Sequence, residues 1–335
     1  MAKLLRLYFL LALSLVCFST TKAQPDSLFI QNENEKALDT LKWRLNEEVG
    51  LYVNQVSFTN WNAGGSNSIS AIVSGKASAK YKANDMFWNT TFLTRYGINK
   101  QEGQGLRKTE DVISLISNFG YDPDETSNWF YSARFSFNTQ FANGFNYPDR
   151  DNPISKFMAP GYLFLGTGLE YGRHIEKFSI YASPLTLKTT FVLDDDLANA
   201  GAFGVDPAIF DMEGNVIRPG KKVRRELGIL LTSEYENTIL ENIKLNSLMR
   251  LYTDYINSFG NVDIEWEMTL DFKVNKYVNA ILGSHIRYDN DIKSEVEKNE
   301  VTNETITIEG PKIQWKQLLG IGVVVDLASL TKETN

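Results

Sequence analysis

Chemistry-bearing side chains are few in this 335-residue chain: two histidines, His174 and His285, and one cysteine, Cys17. Ser284-His285 sets a hydroxyl beside a base. Neighbours on a strand point to opposite faces, however, so the two form no dyad through their side chains, and no catalytic residue is expected. Asp194, Asp195, Asp196, Asp206, Asp211 and Glu213 crowd one segment without the spacing of a calcium loop, which points to a solvated acidic loop. No metal site and no cofactor are expected. What remains is a set of charges at every second position: Arg250, Glu265 with Glu267, and His285 with Arg287. If their segments pair around Phe259 and Lys276, Arg250 falls opposite Glu267, Glu265 faces Arg287, and Glu267 faces His285. Glu234 and Lys244 meet in the same way across the preceding turn. Such a ladder either fills an interior with ion pairs or lines a path for a small solute.

Strands must position these charges. From Asn128 to Phe141 polar and apolar residues alternate: Trp129, Tyr131, Ala133, Phe135, Phe137, Thr139 and Phe141 share one face, Ser132, Arg134, Ser136, Asn138 and Gln140 the other, with Phe130 out of pattern. Val262, Ile264, Trp266, Met268, Leu270, Phe272 and Val274 alternate with Asp263, Glu265, Glu267, Thr269, Asp271 and Lys273. One face suits lipid and the other water. A tilted strand of about 9–11 residues crosses a bilayer, so these segments are long enough to span one.

Twelve such strands are expected, centred near Val53, Val73, Phe92, Leu115, Phe135, Leu169, Leu187, Ile229, Leu251, Met268, Leu282 and Ile321. Connections after even-numbered strands are short, and the long ones all fall on the other side. The fold expected is therefore an all-β, antiparallel, up-and-down transmembrane barrel. Since a twelve-stranded interior is narrower than a porin channel, the ladder is expected to plug much of it.

Lys3 and Arg6, the apolar run Leu7–Phe18 and the closing Thr21-Lys22-Ala23 read as a signal peptide over residues 1–23. Residues 24–40 read as a flexible periplasmic lead, 41–327 as the barrel and 328–335 as a polar tail. Loop parity then puts both termini in the periplasm. Removing the signal removes Cys17, leaving neither a disulfide framework nor thiol chemistry. A mean hydropathy of -0.26 and the lack of long apolar runs exclude transmembrane helices beyond the signal, and an aromatic content of 12% suits interfacial girdles. Of the 34 basic residues three lie in the signal, so against 41 acids the remainder is more acidic than the whole, which argues against nucleic-acid partners.

Phe58-Thr59-Asn60-Trp61-Asn62-Ala63-Gly64-Gly65-Ser66-Asn67-Ser68 carries the most specific local pattern. With the barrel-like remainder from Trp43 to Leu327, it resembles an uncharacterised Bacteroidota family of outer-membrane barrels grouped as a domain of unknown function. The resemblance implies a Gram-negative outer-membrane location and no established activity. The chain departs from many such barrels in ending on Asn335 rather than on an aromatic residue. Physically, Gly64-Gly65 permits a tight reversal and Trp61 suits the lipid-water interface, so Asn60, Trp61, Gly64 and Gly65 read as structural. The expected partners are outer-membrane lipid, the barrel-assembly machinery during insertion, and a membrane or periplasmic protein. A structural or interaction barrel with a charged, largely filled lumen is the leading expectation. A narrow solute channel is the alternative. An outer-membrane lipid hydrolase ranks below both, because its serine and histidine would face lipid whereas His285 falls on the polar face.

Overall fold

The computed structural model describes residues 43–57, 66–83, 85–122, 127–172, 177–256, 259–289 and 313–326, with four residue pairs between 293 and 311. Asn60, Trp61, Gly64, Gly65 and His174 lie outside the described residues, as do the expected signal, lead and tail. Twelve antiparallel strands close into one barrel in sequence order. They are β1 (Trp43–Val56), β2 (Ser68–Lys82), β3 (Met86–Gln101), β4 (Arg107–Tyr121), β5 (Trp129–Thr139), β6 (Gly161–Tyr171), β7 (Phe178–Phe191), β8 (Val223–Leu240), β9 (Ile243–Asp254), β10 (Asp263–Lys273), β11 (Val278–Tyr288) and β12 (Gln314–Asp326). Each pairs with its sequence neighbour, and β1 closes on β12 from Glu48↔Asp326 to Val53↔Ile321, the shortest register in the ring.

Alternation selects the two faces. Leu45, Val73, Tyr131, Leu165, Leu185, Leu319 and Ile321 point outward and are exposed, an arrangement that water would penalise and lipid would not. At the short-turn end Trp43 lies 5.0 Å from Tyr81 and 6.0 Å from Trp88, and Trp129 lies 4.9 Å from Tyr171, a girdle of the kind that sits at a lipid-water interface. Three outward serine hydroxyls are covered by indoles. The indole N–H groups of Trp88, Trp266 and Trp315 donate to Ser117, Ser247 and Ser284 at 2.8, 3.0 and 3.0 Å. This bond turns Ser284 away from His285 and toward the outer surface.

β7 changes phase partway. Pro184 has no N–H for a ladder bond, and the registers of β7 with both β6 and β8 slip there, so inward positions run 186, 188, 190 on one side and 183, 181, 179 on the other. Backbones crowd this bulge. A Cβ on Gly168 would lie 2.0 Å from the Ala182 carbonyl oxygen, and one on Gly228 2.0 Å from that of Thr253.

Three local expectations are corrected. β5 stops at Thr139, because Asp111 takes the N–H groups of Phe141 and Ala142 at 2.7 and 2.9 Å and lifts the chain off the sheet. Thr139 is buried instead of facing lipid, its hydroxyl donating to the Pro160 carbonyl at 3.0 Å. Arg250 pairs with Glu265, and Leu248 rather than Arg250 faces Glu267. Lys244 pairs with Thr238 and bonds Glu236 at 2.5 Å, not Glu234, because β8 continues to Leu240 and reverses over Glu241-Asn242, where Asn242 takes a positive φ of 63°. Both slips are by even numbers of residues, which leave every side chain on its face and so escape a pattern of period two.

Gly168→Val and Gly228→Val should each destabilise the barrel by about 1–3 kcal/mol or more, since backbone must move to admit the side chain. Gly283→Ala, whose new Cβ meets nothing closer than Leu318 Cβ at 3.5 Å, should be tolerated. Urea midpoints of the heat-modifiable folded band check this, and equal midpoints for all three variants would refute the crowding.

Candidate functional site

Inward side chains of β4–β9 pack into a charged and aromatic layer against that half of the wall. Arg134 bonds Glu234 at 2.7 Å, approaches Glu170 at 3.7 Å and lies 4.7 Å above the ring of Tyr181. Glu170 accepts from Asn118 and Ser132 at 2.7 and 3.0 Å, so this buried carboxylate is fully engaged. Tyr181, Leu230 and Tyr252 form a buried cluster with Phe164 against it, Phe164 meeting Tyr252 edge-on at 5.9 Å. Between Arg134, Phe164, Leu230, Thr232, Leu248 and Arg250 the remaining void is about 10 Å³, room for no more than one water. Phe130, the residue out of phase with its lipid-facing neighbours, is inward and packs edge-on to Phe87 at 4.9 Å.

On the loop side of this layer lies a cavity of about 320 Å³, and here the charge ladder sits. Arg250 bonds Glu265, with the Arg250 side chain 13% exposed and that of Glu265 30%. His285 Nε2 lies 3.4 Å from Glu265 and 3.9 Å from Glu267. Arg287 donates to the Tyr162 hydroxyl at 3.0 Å and to Asp289 at 3.3 Å. The expected pairings Glu265↔Arg287 and Glu267↔His285 are present in the register, and all five ladder residues line this cavity.

Further ion pairs around the cavity were not readable from strand neighbours. Lys316 on β12 reaches Glu110 on β4 at 2.9 Å, with Arg95 3.7 Å away, and Lys188 bonds Asp263 at 2.8 Å while lying 5.0 Å above Tyr252. Their only sequence signal is a charged residue at an inward position, as for Arg134 and Glu170.

The acidic loop is ion-paired rather than simply solvated. A short helix, α1 (Asp195–Asn199), starts on Asp194, whose carboxylate accepts from Leu197 N–H at 3.1 Å and from Lys156 at 2.5 Å. Burial opposes the Asp194 charge, but the Lys156 ammonium and the Leu197 N–H outweigh it and hold the carboxyl below the usual carboxylate range. Asp206 is held low likewise by its hydrogen bond to Lys221. Beside them Ala159, Val192, Ala198 and Val205 form a buried apolar cluster that ties the β5–β6 connection to the β7–β8 connection.

The family described as "Protein of unknown function (DUF3078)" matches residues 53–145. No curated protein matches the sequence. Among solved structures the chain is similar to the COG4313 outer membrane channel from Pseudomonas putida F1, with 12% identity, a TM-score of 0.39, and 84% of this chain and 95% of that one covered. It is also similar to the NanC porin, with 10% identity, a TM-score of 0.34 and coverage of 84% and 98%. The translocator domain of the autotransporter NalP from Neisseria meningitidis gives 11% identity, a TM-score of 0.30 and coverage of 86% and 91%. At such scores the barrel assignment stands on the strand topology and not on these likenesses.

Arg250→Leu strands the Glu265 carboxylate in the cavity wall and should cost about 1–3 kcal/mol of stability, while Arg250→Leu with Glu265→Leu should recover most of it. Urea unfolding of the two single variants and the double closes the cycle, and simple additivity would show that the pair does not interact.

Proposed function

We propose that the chain is an outer-membrane barrel acting as a structural or interaction scaffold, its lumen too obstructed to serve as a general pore. The observation that carries this reading is the layer of Arg134, Phe164, Tyr181, Leu230 and Tyr252 packed inside β4–β9, with a void of about 10 Å³ between Arg134, Phe164, Leu230 and Arg250. The apolar outer wall and its aromatic girdle support residence in lipid, and the likeness to a Bacteroidota family supports a Gram-negative outer membrane. Loop lengths support long connections outside and both termini in the periplasm. The barrel-assembly machinery is then the partner during insertion, and the ion-paired outer loops are the surface for a protein partner. The reading assigns binding rather than catalysis to this barrel.

A narrow channel is the second reading. It is favoured by the other half of the wall, where inward Glu48, Ser74, Thr269 and Asp271 stay half-exposed and Lys76 is exposed.

Planar-bilayer recording of the purified barrel distinguishes the two. The wild type should give little steady conductance, and Phe164→Ala with Leu248→Ala should raise it by thinning the layer. Glu265→Ala with Glu267→Ala, expected from the sequence to open the plug, should have the smaller effect because those residues line the cavity above the layer. A large, steady wild-type conductance would replace the scaffold reading with the channel.

Sidedness has its own check. A cysteine at the fully exposed Met212 in the longest connection should react with an impermeant thiol reagent on intact cells, and one at Glu241 in the two-residue turn should not. The opposite pattern would invert the orientation.

A further inference from the structure

Glu265 and Glu267 stand two apart on β10 and share its inner face, and His285 on β11 pairs directly with Glu267. One carboxylate oxygen of each glutamate and a ring nitrogen of His285 all lie within 4.8 Å of one another. We propose that these three side chains hold a first-row divalent transition cation, for which Zn²⁺ is the simplest fit, with its remaining coordination positions open to the cavity.

The distances suit the task. A cation about 2.0–2.2 Å from each nitrogen and oxygen ligand sets neighbouring donors about 3.0–3.5 Å apart. His285 Nε2 is 3.4 Å from the nearer Glu265 oxygen and 3.9 Å from the nearer Glu267 oxygen, so small side-chain rotations close the set. An imidazole among carboxylates selects zinc, cobalt or nickel over calcium and magnesium, which prefer oxygen alone.

A second observation is independent of that spacing. His285 Nε2 is buried and has no hydrogen-bond partner, although two carboxylates converge on it. An N–H at Nε2 would reach Glu265 only across a long 3.4 Å, whereas a cation seated between the three side chains would satisfy all of them at once.

The surrounding cations do not pre-empt the site. Arg250 engages Oε2 of Glu265 and leaves Oε1 toward His285, which fixes the carboxylate in a ligating orientation. Arg287 is drawn to Tyr162 and Asp289, and Lys316 to Glu110. Glu267 has no Lys or Arg ion pair among the described residues, so its charge remains for the metal. Spacing along the chain hid this set, because its third member lies on the next strand and becomes a neighbour only through the β10–β11 register.

The inference does not depend on whether the barrel conducts. Purified full-length barrel, stripped with a chelator and refolded, is titrated with Co²⁺ and its visible absorption followed, with Zn²⁺ then added as competitor. One saturable Co²⁺ site displaced by Zn²⁺ is expected. His285→Ala should weaken it by at least about 10-fold, the smallest loss seen when even a supporting partner of a metal ligand is removed. Glu267→Gln, at a half-exposed side chain, should do the same without threatening the fold, as judged by heat-modifiable migration. His174→Ala and the loop variant Asp206→Asn should leave binding unchanged. Absence of saturable Co²⁺ absorption up to about 1 mM in the wild type would overturn the proposal. Affinity unmoved by both His285→Ala and Glu267→Gln would overturn it too, and would assign any bound cation to other acids.

Discussion

Closure of the backbone ladder is the constraint from which everything else in this protein follows. A strand in hydrocarbon has no water to hydrogen-bond its N–H and C=O groups, so each must find a neighbour, and only a ring leaves no edge. Closure then forces two surfaces of opposite character onto one sheet of alternating residues. Outward goes what lipid accepts, including serines whose hydroxyls are covered by neighbouring indoles. Inward go most of the charged side chains, and the ring is narrow enough that side chains of non-adjacent strands meet.

That meeting explains the electrostatics of the lumen. Lys316 and Glu110, Arg134 and Glu234, and Arg287 and Tyr162 are far apart in sequence yet bonded, so each braces non-adjacent strands of the ring. Partial burial makes such pairs costly to break from one side, while water in the cavity keeps the net contribution of each modest.

The fold was legible in the sequence to the level of strands. All twelve expected centres, from Val53 to Ile321, fall inside observed strands, because alternation over a bilayer span is a long and redundant signal. Which face each ladder residue takes was legible for the same reason. Register was not: an even slip moves Arg250 from Glu267 to Glu265 without disturbing any face, and only the turn residues decide it. The phase change at Pro184 and the inward turn of Phe130 break the alternation for packing reasons that lie on other strands. The cavity and the ion pairs around it needed the closed ring, which no local pattern encodes. Asn60, Trp61, Gly64 and Gly65 fall outside the described residues, so their structural reading stays an expectation.

The seam between β1 and β12 has a kinetic meaning. Every other pairing joins strands adjacent in sequence and can form as a local hairpin, whereas this one joins the two ends of the sheet across nearly the whole chain. Loop-closure entropy grows only with the logarithm of length, so joining such distant ends costs about 2 kcal/mol more than closing a hairpin. The shortest register in the ring must meet that cost, with six residue pairs from Glu48↔Asp326 to Val53↔Ile321. High contact order is thus concentrated in a single ladder, which makes its formation the slow, committing event of folding.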